Sequence, residues 1–266
     1  MAVSQTYALG FNGVDLYSDC QIIVERGTTE IAPEINAPSV GIPYMPGTYG
    51  FDAYAGVRKW QFSCFIYGDS VSAIQTMLTN AMRTLNEPSA KVLEIGTFTD
   101  RYWLAQFTGA SNLEWIGSKA ARFNLNFVST DPHAYSNSLT SLSFTQNSGP
   151  DSHIITALEA AGSAWAEPII TLDPDTSPSS VIIANAATGE STTYGTTFTE
   201  GATNRLRCHS GLFLWQTSTD SGANWTTAMT GVSGTFPRIK PGVENIITIT
   251  GFAAGGVAVE FRARYL

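Results

Sequence analysis

Over most of this chain apolar and polar residues alternate one by one, the period of a strand with one face buried. In residues 58–67, Trp60, Phe62, Cys64 and Ile66 oppose Gln61, Ser63, Phe65 and Tyr67. One stretch departs from this rhythm. Val71, Ile74, Leu78, Ala81, Met82 and Leu85 recur at spacings of three and four, which predicts a helix over 70–86 with a single apolar stripe. Asp69 or Ser70 can cap its first turn, and Pro88 disfavours helix at Glu87. A stripe of this kind must be buried. Nearly everything else reads as strand, so one helix packed on a sheet is expected.

The remaining strands of the first half follow from the same alternation. Residues 7–11 run into Asn12-Gly13, a strong turn dipeptide, and residues 20–26 follow. Residues 92–95 and 102–107 read as a pair turning near Thr99-Asp100. Residues 119–128 place Phe123, Leu125 and Phe127 inward. Asp131-Pro132 ends that pairing, and a domain boundary is expected there, giving domains 1–131 and 132–266. Residues 31–56 are different: Pro33, Pro38, Pro43 and Pro46 exclude a central strand, while Tyr44, Met45, Tyr49, Phe51 and Tyr54 are too aromatic for a disordered linker. Two readings fit, a loop folded back on its own domain or an extended arm reaching a neighbouring subunit. The second half shows short strands between turns: a short strand at Leu139, Leu142 and Phe144, then 153–160, 168–172, 181–184, 204–208, 212–216, 245–250 and 257–265. This spacing is that of a β-sandwich. The fold class is therefore mostly β with one packed helix, an N-terminal α+β domain followed by a C-terminal β-sandwich.

Composition narrows the function. The chain has 266 residues, 43% hydrophobic and 14% charged, with 24 glycines and 12 prolines, which fits a packed, turn-rich β protein. Net charge is −8, shared evenly between the two halves, so broad binding to nucleic-acid phosphates is disfavoured. Cys20, Cys64 and Cys208 have neither zinc spacing nor a disulfide framework. No basic-then-apolar leader and no long apolar run occurs, so neither a signal peptide nor a membrane span is expected.

Candidate chemistry is sparse. There is no G-x-S-x-G, H-E-x-x-H, Walker loop or G-x-G-x-x-G. His133, His153 and His209 lie in unrelated contexts. Asp173 and Asp175 could touch calcium but lack the later ligands of a calcium loop, so a polar turn is the better reading. No pair of carboxylates is singled out for glycoside hydrolysis. No catalytic, metal or cofactor residue is assigned and no enzyme activity is expected. Trp215 and Trp225 flank the polar stretch 217–224. Exposed tryptophans on a sandwich can stack on sugar rings, which makes a carbohydrate-binding module or adhesin the alternative function; the plainer reading places them in the core or an interface. Asn224-Trp225-Thr226 matches a glycosylation sequon, which means nothing without a secretion signal.

Several stretches together resemble the distal tail proteins of siphophages, the long, flexible-tailed bacteriophages. They are the order strand, helix, Leu85-Asn86-Glu87-Pro88, paired strands, then a strand into Ser129-Thr130-Asp131-Pro132-His133-Ala134-Tyr135. Further on come Glu167-Pro168-Ile169-Ile170-Thr171-Leu172, the Asn185…Thr188-Gly189-Glu190 hairpin, and Phe236-Pro237-Arg238-Ile239-Lys240-Pro241-Gly242-Val243-Glu244-Asn245 followed by a strand. The resemblance implies a structural virion protein at the tail tip with no catalysis. It implies a homohexameric ring whose N-terminal belt domains surround a DNA channel and whose galectin-like C-terminal sandwiches project outward. The tail tube protein, the tail-tip hub or baseplate and, in many phages, receptor-binding proteins would be partners, with host attachment as the end served. Cys208-His209-Ser210-Gly211 does not supply the sugar signature of galectins, so sugar binding is not carried over. Sheet edges at 58–67 or 119–128 could pair between subunits. An acidic or neutral bore would let DNA slide, whereas Arg58, Lys59, Lys119 and Arg122 would be expected to retain it if they formed a collar.

Overall fold

The computed structural model describes residues 8–28, 33–41, 48–50, 54–147, 149–251 and 254–266. The chain forms two compact units, Met1–Ala134 together with Leu266, and Tyr135–Tyr265.

The first unit opens with β1 (Leu9–Phe11) and β2 (Val14–Asp15), joined by Asn12-Gly13 with both residues at positive φ, 54° and 77°. That geometry matches the twist of a two-residue hairpin and explains the dipeptide. β3 (Ile22–Thr28) buries Ile22 and Val24. The region expected as a loop or arm contains two short antiparallel ladders, β4 (Ile35–Asn36) with β7 (Tyr54–Ala55) and β5 (Ser39–Gly41) with β6 (Thr48–Gly50). Pro43, Tyr44, Met45, Pro46 and Phe51 of that region, and Tyr7, lie outside the described residues. β8 (Arg58–Tyr67) follows with the expected alternation of burial.

The helix, α1 (Val71–Leu85), matches its expected span. The Ser70 hydroxyl accepts from the Ala73 N–H at 3.2 Å, and the Asn86 N–H closes the last turn on the Met82 carbonyl. Ile74, Ala81 and Leu85 are buried, and α1 lies against the strand that pairs with β8. β9 (Lys91–Ile95), β10 (Arg101–Trp115) and β11 (Ala120–Ser129) complete the sheet. Its order is β2-β1-β9-β10-β11-β8-β3. The core is aromatic: Phe11 and Phe62 meet Phe127 at 5.3 and 6.0 Å, and Trp60 meets Trp103 edge-on at 5.8 Å. β10 continues eight residues past the strand expected at 102–107. Bulges between Phe107 and Gly109 and between Ser111 and Glu114 break the alternation that would have revealed it.

A short strand, β12 (Ala134–Ser136), stands at the boundary. In the second unit β13 (Thr140–Gln146) and β14 (Asp151–Ile155) come first; the strand expected over 153–160 ends at Ile155, where Thr156 and Glu159 cap a turn. Then come β15 (Ile169–Pro174), β16 (Val181–Asn185), β17 (Glu190–Tyr194), β18 (Arg205–His209) and β19 (Leu214–Ser218). β20 (Thr226–Thr227), β21 (Val232–Gly234), β22 (Asn245–Thr250), β23 (Gly255–Phe261) and β24 (Arg264–Tyr265) close the chain. Two antiparallel sheets face each other, β13-β23-β15-β18-β19-β20 and β14-β22-β16-β17-β21. Ile170, Leu172, Leu206, Trp215, Val259 and Phe261 of the first meet Ile183, Ile247 and Ile249 of the second, an aligned sandwich core.

Candidate functional site

In the first unit the sheet itself carries the candidate site. Strands 58–67 and 119–128, expected as possible edges, are interior: β8 lies between β11 and β3, and β11 between β10 and β8. Their regular alternation reflects one buried and one more exposed face. The open edges are elsewhere. β9 covers only Tyr102–Ala105 of β10, and among the described residues no strand is in register with Gly109–Trp115 on that side, although β12 also pairs with β10. At the opposite side β3 is the last strand, open among the described residues.

These two edges lie at one height. Glu114 pairs with Arg122, Arg122 with Phe65, and Phe65 with Ile23; lower down, Ala110 pairs with Leu125, Leu125 with Phe62, and Phe62 with Gly27. Among the described residues, the four-stranded section β10-β11-β8-β3 therefore ends in an edge strand on either side. Its directions alternate, so a β10 edge laid against the β3 edge of a second copy would also be antiparallel. Unpaired edges of this length invite such pairing.

Of the cations feared as a collar, Arg58 is 3% exposed on the buried face, while Arg122 sits on the opposite face in a bidentate pair with Glu25 at 2.9 and 3.0 Å. Lys59 and Lys119 are exposed.

The second unit offers no sugar platform built from the two tryptophans. Trp215 is fully buried, its indole N–H donating to the Thr192 hydroxyl at 3.2 Å, so it is a core residue, as the plainer reading has it, and the alternative of a sugar-stacking ring is corrected for this residue. Trp225 is half-buried, and the Arg207 guanidinium lies over its ring at 4.0 Å while donating to Gln216 at 2.9 Å. Asp173 pairs with Arg205 at 2.5 Å instead of joining Asp175 around a cation. Among the described residues no group of three His, Cys, Asp or Glu is arranged to hold a metal. No helix among them is long and apolar enough to cross a membrane. Cys20, Cys64 and Cys208 are all buried free thiols; burial pushes Cys64 and Cys208 up to about 12. His153 is buried against Phe144, its Nε2 3.1 Å from Gln146 Oε1, and burial lowers its basicity against the opposing pull of Asp151. His133 meets Asp131 at 2.7 Å, and His209 Nδ1 accepts the Leu212 N–H.

Two of the motifs quoted from the sequence meet in space. Asn245 is fully buried at the start of β22 and accepts from the Lys240 N–H at 2.8 Å. It donates to the Lys240 and Val243 carbonyls at 2.9 and 3.0 Å, holding the Pro241-Gly242 turn, where Gly242 has φ 68°. Asn185 donates to Asn245 at 2.9 Å and to the Arg238 carbonyl at 2.6 Å, while its own side chain accepts the Ala187 N–H. Glu190 accepts the Arg238 N–H and Nε, both at 2.8 Å, and Arg238 stacks on Trp165 at 4.1 Å. The motif residues thus knot a hairpin of one β strand pair to a turn fifty residues later. Their chemistry is structural.

A mostly β chain of two units with one helix is also the architecture of a phage protein of known structure. The crystal structure of the SPP1 Dit (gp 19.1) protein, described as a paradigm of the hub adsorption apparatus in phages infecting Gram-positive bacteria, matches 98% of this chain and 100% of its own, at 14% identity and a TM-score of 0.74. The chain therefore has the Dit fold. The activated phage P2 baseplate matches with TM-scores of 0.48 in its calcium form and 0.47 in its strontium form, at 8% identity over 96–97% of this chain and 97% of those chains. No family model matches this sequence, and no curated protein matches it.

Proposed function

We propose that this protein is a structural component of a phage tail, forming a homohexameric ring at the distal end of the tail tube. The observation that carries the reading is the pair of level, opposed edges on β10 and β3, open among the described residues. A single interface joining unlike edges is heterologous and closes into a ring when the rotation permits. Six copies of a four-stranded section would give one continuous barrel wall. The Dit fold and the sequence resemblance support the same reading. In it residues 1–131 form the ring-forming domain, 132–266 a galectin-like sandwich projecting outward, and residues 31–56 an arm that embraces the neighbouring copy. The ring joins the tail tube protein to the tail-tip hub, carries receptor-binding proteins or baseplate, and leaves a central channel for DNA. It resides at the tip of the virion tail after assembly in the host cytoplasm, without membrane contact, cofactor or catalysis.

The experiment is a disulfide trap. The native thiols are buried, so new ones can be added directly. The chain carrying Ile23→Cys and Glu114→Cys, oxidised under dilute conditions, is expected to give a ladder of up to six linked chains on a denaturing gel. Rings that form normally yet never crosslink would refute the edge assignment. A chain that stays monomeric would refute the ring.

A further inference from the structure

The face of β8 and β11 opposite the buried one carries Lys59 and Phe65 beside a run of uncharged polar groups, Gln61, Ser63, Asn124 and Asn126, with the Ser63 hydroxyl bonded to Asn124 at 3.0 Å. On the same face, one step beyond Asn124 toward the start of β11, stands Arg122. Glu25, 97 positions earlier in the chain and across β8, holds it with two hydrogen bonds. Glu25 is the extra residue of the β3 bulge between Val24 and Arg26. A bulge re-aims a side chain, and here it turns a carboxylate over Phe65 toward the guanidinium. Glu114, the register partner of Arg122 on β10, adds a second carboxylate on the other side. The pair is exposed, 49% for Arg122 and 36% for Glu25, and pairs of this exposure add little to stability. What it changes is the field at that surface.

This inference rests on the ring reading. If the β10 and β3 edges join copies with the buried face and α1 outward, the polar face becomes the wall of the bore. We propose that Glu25 masks Arg122 on that wall, so that duplex DNA passing through meets amides and a cancelled cation, with Lys59 the exposed positive charge that these two strands leave on it. Affinity for DNA comes chiefly from cations that displace counterions at phosphates, and an unmasked ring of six arginines would supply them. The bulge that aims Glu25 is thus part of what keeps the channel slippery.

The test uses the full chain carrying Glu25→Gln, with its assembled mass measured first. Binding of a short linear duplex is then followed by fluorescence anisotropy between about 50 and 200 mM salt. Glu25→Gln rings are expected to bind more tightly than wild type at low salt. Each freed arginine that reaches a phosphate should steepen the log–log salt slope by about 0.9. Adding Arg122→Gln to Glu25→Gln should return binding to the wild-type level. Should Glu25→Gln fail to assemble, Asn124→Arg, on an interior strand, places a new unmasked cation on the same wall and must produce the gain. Assembled Glu25→Gln rings with unchanged binding, or a gain that survives Arg122→Gln, overturn the masking. Asn124→Arg rings without a gain overturn the wall assignment. A wild-type chain with the mass of a monomer overturns the ring reading itself.

Discussion

Replacing Asn245 with alanine removes the side chain that ties the Pro241-Gly242 turn to the sandwich. Four hydrogen bonds disappear: the Lys240 N–H and the Asn185 amide lose their acceptor, and the Lys240 and Val243 carbonyls lose their donor. A typical bond is worth a net ~1 kcal/mol, and a buried group left unsatisfied costs more. Lys240 and Val243 lie in an exposed turn where water can take the freed groups, and Asn185 keeps its bond to the Arg238 carbonyl. The expected loss is therefore about 3 kcal/mol, below the sum of four full burial penalties. For a unit of this size that corresponds to a fall of roughly 10 °C in Tm. Calorimetry of the whole chain should show one transition moved and the other in place. Hydrogen exchange should speed up in β22, whose Ile247 and Ile249 are fully buried. A shift below about 2 °C would refute the claim that this asparagine is what the motif is for.

Other outcomes follow from the same geometry. Trp215→Ala should cost about 3–5 kcal/mol in thermal or denaturant unfolding, because a fully buried aromatic leaves a cavity, while Trp225→Ala should cost far less; glycan-array binding lost on Trp225→Ala in a folded protein would revive the adhesin reading. His153 is held below the usual imidazole value by burial, so the unfolded chain takes up its proton first as pH falls below about 6.5. The sandwich should lose stability through that window until folded His153 itself titrates, and in unfolding titrations His153→Gln should reduce the pH dependence, leaving the share of His209, which burial and Arg207 also lower. Gly251→Ala should destabilise the sandwich severely, since a Cβ there would stand 2.0 Å from the Ser180 carbonyl oxygen at φ 93°; equal melting temperatures would contradict that. Deleting residues 38–51 should weaken ring formation in sedimentation while circular dichroism shows α1 and the sheet intact; undiminished rings would remove the arm from the interface.

The helix and the regular strands were legible because a single physical demand shaped each. α1 announces itself through one apolar stripe, and β8 and β11 through period two with one face buried. β10 was half-read because Gly109 and two bulges erase the alternation at the point where the strand leaves β9. Which strands are edges is not a local property of sequence: β3 looks no different from an interior strand, and its openness among the described residues emerges only when the pairing of the whole sheet is known. β17 and β21 were missed for another reason. Thr192 and Thr193 in β17 and Ser233 and Gly234 in β21 carry hydroxyls and glycine where a hydrophobic alternation is sought. The candidate residues of the sandwich were visible as a motif, yet the sequence gives Trp215 and Trp225 the same appearance, and only packing makes one a core residue and the other a shelf for Arg207.

The central claim is that this chain works as part of a closed assembly of its own copies. Native mass measurement across nanomolar to micromolar concentrations, read beside electron micrographs viewed down the particle axis, tests it most directly. The account predicts a species of about 171 kDa, six copies of the 28.5 kDa chain, with a six-fold outline and an open centre. A single 28.5 kDa species at every concentration would contradict it.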